Sequence, residues 1–159
     1  MQVFVPYKEP LMVAKCLDTR RLNKQVIECG QIIDAIEGKG KGWFNHPIVK
    51  MYKKYLGWLK LYSNCMSAYL NFICNGSIFM SAWGGDARFF IDCATTFNNS
   101  ANKYTPPFLT DVFCDQHKRR LYTKDPVFYK VFAQYGTSEE NWYVIDSELV
   151  KYINGKRIN

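Results

Sequence analysis

The chain has no closely spaced cysteines. Its six, at positions 16, 29, 65, 74, 93 and 114, lie nine or more residues apart, so no CxxC pair exists. That spacing argues against a cysteine zinc site and against a redox motif, and it points to reduced, mostly buried thiols. Histidine is equally scarce, with only His46 and His117, neither at metal-ligand spacing from a Cys or Asp. No Walker loop, GxGxxG or Ser-His-Asp signature occurs, and Gly84-Gly85-Asp86 alone is too short to signify. We therefore expect neither a metal nor a cofactor. Long hydrophobic runs are missing too. The most apolar stretch, CMSAYLNFIC at 65–74, is half of the ~20 residues that a membrane-spanning helix needs. The start MQVFVPYKEP lacks the basic segment and apolar run of a signal peptide. A cytoplasmic protein without a membrane partner is the expectation, in the host cytoplasm if the source is viral.

At 159 residues the chain has room for one domain, and 1–159 is read as a single unit. Hydrophobic residues at 48% and charged residues at 22% match a globular composition and exclude disorder as the main state. Aromatics are abundant: 11 Tyr, 11 Phe and 4 Trp make 16% of the chain. So many rings imply a large core with some rings left at the surface. The formal charge is +7 and unevenly spread. Residues 1–60 carry 11 basic and 5 acidic side chains, residues 61–115 carry 2 and 4, and residues 116–159 carry 8 and 5. Two basic ends suggest one positive face, which attracts polyanions, nucleic acid first among them. A solvated surface that favours solubility is the plainer alternative.

The periodicity predicts a mostly α fold with an extended N-terminal arm, MQVFVPY, broken by Pro6. The first helix starts at about Met12 or Asp18 and runs to Glu37. Leu22, Val26, Cys29, Ile33 and Ile36 fall on one sector of its wheel, and Gly38 with the KGKG stretch ends it. A second helix is predicted from an Asn45 cap and Pro47 to about Cys74, with Gly57 as a weak point. A short helix near Asp86 and a loop at FNNSANKYTPP follow. Thr110 then caps a helix over Asp111–Tyr122. Asp125-Pro126 opens a short helix that ends at Gly136, and NWYVID reads as a strand or aromatic arm.

Three constellations can carry chemistry. On the first helix, taking Arg21 as zero, Gln25 lies at about 40°, Glu28 at about 340° and Lys24 at about 300°. One arc thus carries two cations, an amide and a carboxylate beside the apolar stripe. A carboxylate among cations can act as a base, and Arg21 and Lys24 can meet phosphate; ordinary i,i+3 and i,i+4 surface pairs explain the same spacing. In Trp43-Phe44-Asn45-His46-Pro47, a histidine and two rings stand at a helix start, where backbone N–H groups favour anions. His117-Lys118-Arg119-Arg120 with Lys124 mixes cations with the rings of Tyr122, Phe128 and Tyr129, which suits phosphates and unstacked bases.

Four segments, MQVFVPY, LDTRRLNKQVIE, GWFNHPIVKMY and HKRRLYTKDPVFY, resemble in order and spacing the pyrimidine-dimer DNA glycosylases of the phage endonuclease-V type. The closest likeness is to the longer bacterial and viral branch with an extended M-Q-x-F-x-P-Y arm. The resemblance extends over residues 1 to about 132. It implies a compact helical domain that binds double-stranded DNA bearing a damaged or modified base. Such a domain cuts the glycosidic bond with an amine nucleophile and breaks the strand through a Schiff base. The best-studied branch uses a threonine amine exposed by loss of the first Met. Here residue 2 is Gln, so the nucleophile is Met1 itself or Lys24. That branch places its glutamate directly after an arginine. Here Arg20 matches the arginine, Arg21 occupies the glutamate's position, and Glu28 is the nearest carboxylate on a suitable face. On the glycosylase reading Arg20, Arg21, Gln25, His46, His117 and Arg120 are expected to contact phosphate or base. A non-catalytic nucleic-acid-binding module and a protein-interaction module that blocks a host factor remain as alternatives on the same fold.

Overall fold

In a computed structural model that describes residues 1–39, 42–74, 105–146 and 148–158, the architecture is mostly α with a small antiparallel sheet at the C-terminal end. An extended arm leads into α1 (Pro10–Cys16), α2 (Thr19–Ile36), α3 (Pro47–Tyr52), a 3-10 turn at Lys53–Tyr55 and α4 (Leu56–Ile73). After residues 75–104 come α5 (Asp111–Lys124), a 3-10 stretch at Lys130–Tyr135, and strands β1 (Asn141–Ile145), β2 (Glu148–Ile153) and β3 (Lys156–Ile158). The short helix expected near Asp86 and most of the loop at 97–107 lie outside the described residues.

Both candidate starts of the first helix are real, because the chain breaks between them. Leu17 leaves the helical region at ψ 139, and the Asp18 carboxylate then caps α2 by accepting the Arg21 N–H at 3.0 Å. At the other end Gly38 takes φ 74, and the Lys39 N–H reaches the Asp34 carbonyl at 2.9 Å, closing the helix in a Schellman turn. Leu22, Cys29 and Ile33 are buried as their spacing predicts, and Val26 and Ile36 are half-buried. The predicted second helix is two. His46, not Asn45, caps α3, its Nδ1 accepting the Ile48 N–H at 3.2 Å. The break falls at Lys53–Tyr55, ahead of Gly57. On one straight helix Tyr52 and Trp58 would stand about 120° apart. The break re-phases the chain so that both are buried and stack at 5.8 Å, and Tyr62 stacks on Trp58 at 5.3 Å.

Thr110 caps α5 as predicted, accepting the Phe113 N–H at 3.3 Å. Asp125 accepts the Phe128 N–H at 2.9 Å, but the helix expected after Pro126 is a 3-10 stretch that ends at Gly136 with φ 76. The NWYVID segment supplies β1, which pairs antiparallel with β2 in the register Tyr143↔Val150. The β2–β3 hairpin was not foreseen, although its signal was present. Asn154 (φ 50) and Gly155 (φ 78) form its two-residue connection, and both torsions are positive, as a type I′ turn demands. Cys29, Cys65 and Cys114 are buried, and Cys16 and Cys74 are half-buried. Among the described residues no helix is long and apolar enough to cross a membrane.

The N-terminal arm lies inside the protein. Val3, Phe4 and Val5 are 5% exposed or less, so the arm's backbone must find partners away from water. Side chains of α2 and α4 provide them. Gln25 Oε1 accepts the Phe4 N–H at 2.8 Å, and Gln25 Nε2 donates to the Gln2 carbonyl at 2.9 Å. The Tyr62 hydroxyl donates to the Phe4 carbonyl at 2.6 Å. Gln25 is itself buried with its carboxamide fully engaged, so it is a clamp on the arm rather than a surface for nucleic acid. His117 also departs from its expected place. Its ring is buried against the edges of Phe4 (6.0 Å) and Phe113 (4.9 Å), with no hydrogen-bond partner on either nitrogen. Burial, and then the Arg120 charge, pushes its pKa down to about 3. A neutral core imidazole cannot meet a phosphate.

Two measurements follow from this packing. Gln25→Leu strands the buried Phe4 N–H and Gln2 carbonyl, and should lower unfolding free energy by about 3–5 kcal/mol in urea titrations; a loss below about 1 kcal/mol would show that the arm is held by its apolar side chains alone. His117 is neutral when folded, whereas in the unfolded chain it takes up a proton near pH ~6.5. Its contribution to stability is thus intact above that pH and declines as pH falls toward about 3. His117→Leu should flatten the pH dependence of Tm across this window; parallel wild-type and variant profiles would contradict the burial.

Candidate active site

The arm's clamp places the start of the chain against a carboxylate. Glu28 lies one helical turn beyond Gln25 on the same flank of α2, and its Oε2 accepts the Gln2 N–H at 3.2 Å. The α-amine of Met1 is therefore one residue from the group that Glu28 holds. The Glu28 side chain is 14% exposed, and its Oε1 lies 3.8 Å from Lys24 Nζ, whose own side chain points largely to solvent. Of the two candidate amines, the terminal one belongs to a residue packed against the core and the lysine one to a side chain in solvent.

His46 reaches the same place from α3. Its pKa is lowered, first by burial and then by the positive charge of the chain terminus. With Nδ1 accepting the Ile48 N–H, the neutral ring keeps its proton on Nε2. This self-capping also occupies a free N–H of a six-residue helix, so the anion site expected at that helix start is not what positions His46. The ring meets Trp43 at 5.5 Å and Tyr143 at 6.0 Å, both edge to face. Tyr143 comes from β1 and is buried; burial raises its pKa, Arg120 opposes the rise, and Tyr152 and Glu28 add to it. Tyr143 is the member of this cluster that sequence reasoning missed. Alternation along NWYVI marks it as inward-facing, but only tertiary contact brings it to His46.

Cations converge beside this cluster from α2 and α5. The Lys124 ammonium is pushed below its ordinary pKa by burial, then by Arg120, Arg21 and Lys24. These cations are not equally available. Arg120 is 8% exposed and its Nη1 donates to Ser138 O (3.2 Å) and Glu139 Oε2 (3.0 Å), while its Nε has no partner. Arg21 Nη1 is 2.5 Å from Asp18 Oδ2, and its guanidinium lies over the Tyr129 ring at 5.2 Å. The Tyr129 hydroxyl also donates to Asp18 at 2.6 Å. Burial works to raise the Asp18 pKa, but Tyr129 and Arg21 outweigh it and hold the carboxyl below its usual value. Arg21 thus ties α2 to the segment after α5. Arg20, Lys24 and Lys124 are exposed. Among the described residues no group of three or more His, Cys, Asp or Glu could hold a metal ion.

The arrangement offers a carboxylate bonded to the residue that follows the terminal amine, a neutral histidine donor, and nearby cations. The clamp, the carboxylate and His46 all come from the first third of the chain. Residues 1–70 match the family model described as pyrimidine dimer DNA glycosylase. No curated protein and no solved structure matches the chain. The segment that carries Met1, Glu28 and His46 is thus similar, over residues 1–70, to the pyrimidine dimer DNA glycosylases, the family that the motifs of the whole chain resemble.

Proposed function

We propose that the protein is a DNA glycosylase acting on damaged or modified pyrimidines in duplex DNA, with Met1 as nucleophile and Glu28 as its carboxylate partner. The observation that carries this reading is the bond from the Gln2 N–H to Glu28 Oε2. It brings residue 2, one residue from the terminal amine, against a carboxylate at the end of a buried arm. An amine must be unprotonated to attack. An α-amine, with a reference pKa of roughly 7.7–8.0, is more available at neutral pH than a lysine at about 10.4.

The lone pair of the Met1 nitrogen forms a bond to C1′ of the damaged nucleotide, and the C1′–N glycosidic bond breaks. The base leaves with that electron pair and takes a proton, and the attacking nitrogen loses one. The Glu28 carboxylate stabilises the positive charge that develops on the sugar and can receive the amine's proton. Opening of the sugar ring then gives a C1′=N imine. In the lyase step, loss of a C2′ proton expels the 3′ phosphate. Lys24, Lys124 and Arg20 bind the strand's phosphates, and the target nucleotide leaves the stack to reach the amine.

Borohydride trapping on UV-irradiated or abasic duplex DNA tests the scheme. A covalent adduct should form, survive Lys24→Ala and vanish when the N-terminus is blocked. Glu28→Gln keeps an acceptor for the Gln2 N–H, so it should bind duplex DNA as well as or better than wild type. It should release base about 10²–10⁴-fold more slowly. Affinity should fall linearly in log K against log salt. A chain that gives neither adduct nor free base from any lesion, while binding DNA normally, is a binding module instead.

A further inference from the structure

Trp43 is placed at a disadvantage to the fold. Its backbone has φ 64, in the left-handed region that side chains with a Cβ rarely adopt. Its large side chain is 57% exposed rather than packed. Gly42 before it also has positive φ, at 141, so the loop turns sharply to deliver this residue. Strain of this kind persists where the surroundings impose it, and it collects at functional sites. The ring that meets Trp43 is His46, at 5.5 Å and 66°. His46 in turn faces Tyr143 at 6.0 Å, and Tyr143 faces Tyr152 at 5.3 Å. Trp43 is therefore the solvent end of a row of rings whose inner members, His46 and Tyr143, feel the charges of the chain terminus and of Glu28 respectively.

We infer that the exposed face of Trp43 is a stacking surface for a nucleobase displaced from the duplex at the lesion. The inference rests on the glycosylase reading and adds to it the residue that holds the unstacked base. A nucleotide leaving the helix needs a new π-surface to replace its lost neighbours, and an exposed indole provides one for any base. The surrounding charge suits the same occupant. Exposed Lys24 stands beside Glu28 and feels Lys124 as a like charge, which favours a polyanion over a neutral or basic partner. His46, oriented by capping its own helix, meets the Trp43 ring at 5.5 Å from one side.

The test compares wild type, W43N and W43F on two duplexes of one sequence, one undamaged and one carrying a single pyrimidine dimer. Asn tolerates the left-handed backbone, so W43N should keep or raise Tm. It should weaken binding of the lesion duplex about ten-fold or more and shift the undamaged duplex by less than about two-fold. W43F should retain most of the lesion preference. W43N that binds the lesion duplex like wild type, or that weakens both duplexes equally, overturns the stacking role. If wild type itself shows no lesion preference and gives no borohydride adduct, the glycosylase reading fails and this inference fails with it. Wild-type preference and adduct that persist unchanged in W43N reject the Trp43 assignment alone.

Discussion

A single buried carboxamide governs how the chain begins. Gln25 accepts the Phe4 N–H and donates to the Gln2 carbonyl, so the extended arm is paired to a side chain as it would be to a neighbouring strand. Backbone groups cannot lie unpaired in a core. An arm with Val3 and Val5 almost fully buried therefore requires such a partner. The Tyr62 hydroxyl completes the pairing from α4. Everything proposed for the terminal amine depends on this clamp, because it sets both the direction in which the chain starts and the turn of α2 that the first residues face.

The electrostatics of the site follow from which charges are already neutralised. Arg21 and Arg120 look like ligand-binding residues in sequence, yet each is tied to a carboxylate, Asp18 and Glu139 respectively. Their role is to bring α2, α5 and the segment after α5 together. Lys24 and Lys124 are left toward solvent, Lys24 beside Glu28. The result is a carboxylate that sits at a cationic rim without being closed off by a buried ion pair. His46 adds a neutral donor, because burial and the adjacent chain terminus both disfavour its charged form.

Much of this was legible beforehand, and the failures have identifiable causes. The 3.6-residue stripe of Leu22, Cys29 and Ile33, the caps at Asp18 and Thr110, and the stop at Gly38 are local effects. They can be read without knowing what the helices touch. The Arg21–Gln25–Glu28 arc also stood where the wheel put it. Its members then divided by burial, which a wheel cannot weigh: Gln25 turned inward to the arm and Glu28 stayed at the edge. The break at Lys53–Tyr55 was missed because it serves the stacking of Tyr52, Trp58 and Tyr62 and has no local breaker residue of its own. His117 was misplaced because a histidine beside three cations reads as surface, while its position on α5 faces Phe4 and Phe113.

The sequence by itself determined the mostly helical class, the arm, the caps at Asp18 and Thr110, the excess of basic residues and the pairing of Lys24 with Glu28 along one helix. These depend on contacts within a few residues, or on composition. Only the tertiary structure decided that the chain start lies against Glu28, that His46 meets Tyr143, and that Trp43 ends that row of rings in solvent. Those juxtapositions join residues far apart in the chain. They are set by how buried backbone finds partners and how rings fill the core, and no periodicity encodes either.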